Sequence, residues 1–186
     1  MTRKTLVAVA LAVGLACAPL ACLADQKDSR LAGLFEQLRQ AQTPREALLL
    51  ESAVWQIWSE IEDDDVAFLY RRGVEAMSAD RPDDALGFFT EVTKRAPDFA
   101  EGWNKRATVL FIMGEYAGSV VDVERTVALE PHHFGALSGL GLINLQLGRE
   151  AAALKAFEAA LKVHPYLSGA RQRIKELRDK LGGKPT

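Results

Sequence analysis

Three prolines, Pro97, Pro131 and Pro165, stand 34 residues apart in a chain of 186 residues. Other positions keep the same register. Phe89, Val123 and Phe157 share one phase, Ala85, Ser119 and Ala153 another, Gly73, Ala107 and Gly141 a third, and Leu69, Trp103 and Leu137 a fourth. A fixed period of this length constrains the fold more than any single motif. A unit this short cannot bury its own hydrophobic face, so copies stack into an array instead of forming one globular core.

Each period divides into two stretches of about 14 residues with apolar positions near i, i+3 and i+4. In the middle unit the first helix is predicted over Ala100–Met113, with Trp103, Ala107, Leu110 and Phe111 recurring and Gly114 ending it. Its partner is predicted over Tyr116–Leu129, stopping before Pro131, which disfavours α geometry at Glu130. Gly148 and Pro165 punctuate the next unit in the same way. In the preceding unit Asp80-Arg81-Pro82 makes the break, with Pro82 at a tolerated first-turn position. The small pairs Gly73 with Ala85, Ala107 with Ser119 and Gly141 with Ala153 predict a close approach of the two helices. Phe89 and Phe157 are expected to fill the gap between successive pairs, with Val123 as a smaller filler.

The pattern resembles the tetratricopeptide repeat family over Val66–Leu167, 102 of the 186 residues. The resemblance implies an all-α fold: a right-handed superhelical array of antiparallel helix pairs, an α-solenoid, with terminal capping helices. The repeats span residues 66–99, 100–133 and 134–167. Residues 168–186 read as a capping helix over Ser168–Leu181 followed by a tail. Ala170, Ile174, Leu177 and Leu181 form its apolar stripe, and Arg171, Arg173, Lys175, Arg178 and Lys180 line the remainder. Residues 25–65 read as an N-terminal helical pair, Asp28–Gln42 and Pro44–Ile61, a degenerate repeat or cap, with Thr43-Pro44-Arg45-Glu46 as the start signal of its second helix. Trp55 and Trp58, beside Val54 and Ile61, are expected to bury against the first repeat, or alternatively to anchor a partner.

In the resembled fold the first helix of each pair lines a concave surface, and carrying those positions over gives the candidate lining. It comprises Tyr70, Val74, Met77 and Ser78 in the first repeat, and Glu101, Asn104, Lys105, Thr108, Phe111 and Ile112 in the second. The third contributes Ser138, Leu142, Leu145 and Gln146. A mixed polar and apolar lining of this kind suits an extended peptide or an amphipathic helix. The basic clamp with which some relatives hold a partner's C-terminal carboxylate is not matched. Tyr70 and Val74 stand where Lys and Asn are expected, and Gly135 and Gly139 where basic residues are expected, which disfavours binding of chaperone tails.

Composition narrows the alternatives. With 48% hydrophobic and 26% charged residues the chain is expected to fold, and a formal charge of -2 argues against a strongly basic nucleic-acid binder. The only cysteines, Cys17 and Cys22, lie near the N-terminus, which speaks against a disulfide scaffold or a cysteine zinc site. Arg3 and Lys4, the uncharged run from Thr5 to Ala24, and the exit Cys22-Leu23-Ala24 read as a secretory signal peptide over residues 1–24, with the mature chain starting at Asp25. Two alternatives stand beside cleavage. Cys22 after Pro19-Leu20-Ala21 offers a lipidation site, although Pro19 occupies the position where Leu is expected. A retained run is also about long enough to span a bilayer. Removing residues 1–24 takes away two basic residues and no acidic one, which leaves a mature charge of -4.

Chemistry-bearing constellations are sparse. His132, His133 and His164 fall in equivalent inter-repeat loops but lack a Cys, Asp or Glu set to complete a metal site, and they read as polar turn residues. Asp63-Asp64-Asp65 lacks the oxygen spacing and later Glu of a calcium loop and reads as a solvated linker capping the next helix. No serine sits in a Gly-x-Ser-x-Gly elbow, no Gly-rich loop ends in Gly-Lys-Ser/Thr, and Gly139-Leu140-Gly141 has no preceding strand. The expectation is a non-catalytic protein with no cofactor and no metal. It is expected to work as an interaction module or scaffold of the bacterial periplasm that holds a peptide or helix of a protein partner in its concave groove. A lipid- or helix-anchored envelope assembly factor is the alternative, and a helical enzyme or metal-binding protein the more distant one. Contact with a membrane is expected only if the N-terminal segment is retained or Cys22 is lipidated. Charge is uneven, with a net of -6 over residues 25–65 and +4 over residues 168–186. This suggests either ordinary solvated ends or a basic end that attracts an acidic partner, anionic lipid or a second copy.

Overall fold

The computed structural model describes residues 28–182. The expectations for the signal segment, cleavage after Ala24, Cys22 and the tail beyond Gly182 lie outside the described residues. Within them the chain forms nine α-helices and no strand. These are α1 (Ser29–Gln40), α2 (Pro44–Trp58), α3 (Asp64–Ser78), α4 (Pro82–Arg95), α5 (Ala100–Ile112), α6 (Tyr116–Leu129), α7 (Phe134–Gln146), α8 (Glu150–Val163) and α9 (Ala170–Gly182). The pairs α3–α4, α5–α6 and α7–α8 pack against one another in sequence, and α9 packs on α8. The array is therefore an all-α helical solenoid.

Local signals set the helix ends. Thr43 accepts the Glu46 N–H at the start of α2, and Asp63 accepts the Val66 N–H at the start of α3, each satisfying one orphan donor. Between the helices of each pair the chain needs one residue with positive φ. Gly114 (82°) and Gly148 (68°) supply it after α5 and α7, and Asp80 (53°), in the same phase, supplies it after α3. A residue with a Cβ is strained there, and Asp is among the few that tolerate it.

Inside each pair, sterics link the small and large phases. A Cβ on Gly73 would sit 2.7 Å from the Phe89 ring, and one on Gly141 would sit 2.6 Å from the Phe157 ring. The phenyl rings thus lie on the glycine of their own pair, whereas the sequence suggested that they fill the gap between pairs. In the middle pair Ala107 faces a smaller partner, Val123, and both are buried. The three pairs solve one volume problem with two combinations, glycine with phenylalanine or alanine with valine. Ser119 adds a polar tie, donating to the Ala107 carbonyl at 2.7 Å. Arg106 makes a two-pronged contact with Asp122 of its own repeat at 2.7 Å, reaches the preceding repeat by donating to Thr93 at 2.9 Å and lies 4.7 Å from the centre of the Trp103 ring.

At the C-terminal end, basic residues of α9 reach back to the third repeat. Arg178 pairs with Glu158, Lys180 pairs with Glu150, and Arg171 donates to the Pro165 carbonyl. At the other end the α1–α2 pair does not bury its aromatic residues on the first repeat. Trp58 and Phe35 share a core with Phe134 and Val163, at the junctions flanking the third repeat. Phe68 on α3 consequently stays 54% exposed, although Gly102 and Ala136, one and two repeats later in the same phase, are buried.

Two outcomes follow from this packing. Gly141→Ala should cost about 1–3 kcal/mol by overpacking. Adding Phe157→Val, which recreates the alanine–valine combination of the middle pair, should recover at least about 1 kcal/mol in a denaturant double-mutant cycle. Strictly additive losses would mean that the ring and the glycine do not set the spacing. Asp80→Gly should raise stability by about 0.5–1 kcal/mol, read as an upward shift of the thermal midpoint, because it removes the only non-glycine residue with positive φ among the described residues.

Candidate interaction surface

The first helices of the pairs, α3, α5 and α7, present one face in register, and α2 crosses part of it. The candidate lining divides accordingly. Val74, Ser78, Thr108, Ile112, Leu142 and Gln146 are exposed, with Ile112 at 59% and Val74 and Leu142 near 37%. Met77, Lys105, Phe111, Ser138 and Leu145 are half-buried, and Tyr70, Glu101 and Asn104 are buried. The exposed row repeats every 34 residues at Val74, Thr108 and Leu142, so it runs across all three repeats.

The buried part centres on a carboxylate. Glu101 is fully buried, yet four side chains reach it. Its Oε1 faces Lys105 Nζ at 3.0 Å and the Tyr70 hydroxyl at 3.4 Å. Its Oε2 accepts from Asn104 Nδ2 at 2.8 Å and faces His133 Nε2 at 3.0 Å. Burial works against the charge, but hydrogen bonding to His133 and the Lys105 ammonium outweigh it and hold the carboxyl below its ordinary value. Burial, with the nearby Glu101 charge, pushes the Tyr70 phenol well above its ordinary range.

The histidines correct the sequence reading of polar turn residues. His133 and His164 are buried, and only His132 is exposed. Each buried ring also caps backbone. His133 Nδ1 accepts the Ala136 N–H at 3.1 Å at the start of α7, and His164 Nδ1 accepts the Tyr166 N–H at 3.2 Å. Accepting at Nδ1 leaves the proton on Nε2, so His133 donates to Glu101 and His164 donates to Glu51 of α2 at 3.0 Å. Glu130, 34 residues before His164, does the same capping with a carboxylate, accepting the His132 N–H. Among the described residues no group of three His, Cys, Asp or Glu side chains has a metal-binding arrangement.

The tryptophans seat α2 on this face. Trp58 stacks flat on His133, with ring centres 4.0 Å apart and planes 6° apart, and meets Phe134 at 5.0 Å. Trp55 lies where a Cβ on Gly135 would come within 2.8 Å, and the Lys105 ammonium is 5.6 Å from its ring centre. Among the described residues the buried Trp58 indole N–H meets no acceptor, an arrangement that costs about 1–3 kcal/mol. Sequence reasoning assigned Glu101 to an open groove and did not foresee its burial. The available signal was an acid in the phase otherwise held by Ala67 and Gly135.

Stacked antiparallel helix pairs with a shared face of first helices define a helical-repeat protein. The sequence model of the tetratricopeptide repeat matches residues 70–125 and 113–168, and the chain belongs to that family. A TPR repeat-containing protein of Rhizobium etli is 35% identical over 157 residues, 84% of this chain and 77% of its own length. The Hsp70-Hsp90 organizing protein of Triticum aestivum is 29% identical over 61% of this chain but only 20% of its own length. Among solved structures, the first TPR of Spaghetti (RPAP3) bound to the HSP90 peptide SRMEEVD matches with a TM-score of 0.63 at 20% identity, covering 66% of this chain and 98% of that one. MamA matches with a TM-score of 0.61 at 20% identity over 84% of each chain. The tetratricopeptide repeat is a non-catalytic protein-interaction fold.

The buried carboxylate makes stability depend on acid. Because the folded value of Glu101 lies below the unfolded one, its stabilisation is complete above about pH 4.5 and is lost as the pH falls through the folded value. Glu101→Gln should cost about 1–3 kcal/mol at neutral pH. It should also flatten the fall in stability below pH 4.5 that wild type shows. Parallel acid profiles for the two proteins would show that Glu101 does not carry the dependence.

Proposed function

We propose that this chain is a non-catalytic interaction module, a scaffold of the bacterial periplasm that takes a peptide or helix of a protein partner on its concave face. The observation that carries the reading is the exposed row Val74, Thr108 and Leu142 with Ile112 beside it. The exposed apolar side chains Val74, Ile112 and Leu142, held on three successive first helices, offer a preformed surface, which lowers the ordering cost of binding. The periplasmic part of the reading rests on the sequence, on Arg3, Lys4 and the uncharged run to Ala24. Among the described residues no helix is long and apolar enough to cross a membrane. The solved RPAP3 domain bound to an HSP90 peptide supports peptide binding as the mode. The positions Tyr70, Val74, Gly135 and Gly139 do not carry the basic clamp and point to a different partner chemistry.

Crosslinking capture from envelope extract, comparing wild type with Ile112→Glu, tests the reading. Ile112 is 59% exposed, so the variant should keep its helical spectrum and thermal midpoint while capture falls about tenfold, the loss expected for about 1.4 kcal/mol. Undiminished capture would move binding off this row. Mass spectrometry of the exported chain distinguishes a free Asp25 start from an acylated Cys22.

A further inference from the structure

The face near the start of α7 is already covered, and its occupant is a helix of this chain. Glu51, Trp55 and Trp58 stand at i, i+4 and i+7 on α2, which places them on one side of the helix. Each meets a feature of the repeats shaped for it. His164 turns its Nε2–H to Glu51, because the Tyr166 N–H occupies Nδ1. Gly135 leaves room for the Trp55 ring, where a Cβ would intrude to 2.8 Å. His133, fixed between Glu101 and the Ala136 N–H, offers Trp58 a flat ring at 4.0 Å. The fit is incomplete, since the Trp58 N–H meets no acceptor among the described residues. The occupant joins the repeats through the short acidic segment Ser59–Asp63 before α3, and α1 on its other side packs on α8.

We propose that this seat is a binding site for an amphipathic helix, held in cis by α2. A partner helix presenting a carboxylate and two aromatic rings at i, i+4 and i+7 takes the seat by displacing α2. The inference deepens the interaction reading above and rests on it. The ligand class follows from the chemistry of the seat. A donor aimed at a carboxylate, a slot that only an unhindered ring enters and a stacking imidazole select an acid and two aromatic groups at helical spacing. The cis helix raises the threshold for binding, because a competitor must exceed a tethered occupant whose effective concentration is high. The repeats thus hold two surfaces, an open apolar row and a covered polar-aromatic seat, and only the second is gated.

A fluorescein-labelled peptide of residues 44–60 is the probe, and its anisotropy is measured with the full chain. The Trp55→Ala, Trp58→Ala chain, with its cis helix weakened, should bind the peptide at least tenfold more tightly than wild type. A peptide with both tryptophans replaced by alanine should bind neither. Equal affinity of the two chains, or equal binding of the two peptides, would overturn the proposal. Hydrogen exchange on unaltered wild type gives a readout that needs no variant. Amides of residues 47–58 should exchange at least tenfold faster than those of residues 137–145, because α2 leaves its seat while the repeats stay folded. Matched protection of the two segments would make α2 an inseparable part of the core and refute displacement. Val121, 61% exposed on α6, belongs to neither surface, so Val121→Glu should leave peptide affinity unchanged. If the peptide fails to bind while envelope capture still depends on Ile112, the gated seat is wrong and the interaction reading stands.

Discussion

A phenyl ring resting on a glycine sets the separation of two helices in this protein, and the rest of the array inherits that distance. Phe89 on Gly73 and Phe157 on Gly141 leave no space for even one added carbon. The middle pair meets the same constraint with Ala107 and Val123, so a gain on one helix is matched by a loss on the other. The spacing propagates because each pair packs on the next through contacts that need it, such as Arg106 reaching both Thr93 of the preceding repeat and Asp122 of its own. A solenoid has no single core to absorb an error, so each pair must keep to the common spacing.

Glu101 adds a second constraint of another kind. A buried carboxylate is tolerated only when its charge and lone pairs are met, and here Tyr70 of α3, Asn104 and Lys105 of α5, and His133 at the start of α7 meet them. One side chain therefore ties α3, α5 and the start of α7 together. The tie continues outward, because the imidazole that donates to Glu101 is the surface on which Trp58 stacks. The polar interior of the array and the seating of α2 are parts of one arrangement.

That arrangement divides the concave face. The row running through Val74, Thr108 and Leu142 stays open to solvent, while the side near Glu101 is roofed by α2. On the reading proposed above, a face divided in this way holds one segment while the tethered helix controls access to the remainder. The basic residues of α9 are engaged largely with Glu158, Glu150 and the Pro165 carbonyl of the third repeat, which accounts for much of the positive charge at that end without invoking a partner.

Much of the fold was legible in the residues because the signals are local. Gly114, Gly148, Pro97, Pro131 and Pro165 act on their own backbone or the residue before it, so helix ends in the repeats fall within a residue or two of expectation. The recurring small and aromatic phases identified which helices approach closely, although only the structure showed that each ring rests on the glycine of its own pair. The fate of the N-terminal pair was not legible. Trp55 and Trp58 were plainly one apolar face, but a helical face does not name its partner. The choice of the third repeat over the first depended on a slot at Gly135, eighty residues from Trp55 in the chain, and on a ring at His133. Glu101, His133 and His164 read as surface residues for the same reason. Periodicity along the chain sets where a side chain points on its own helix. Whether that direction meets water or another element depends on how a tethered helix folds back, and the tertiary packing alone decided it.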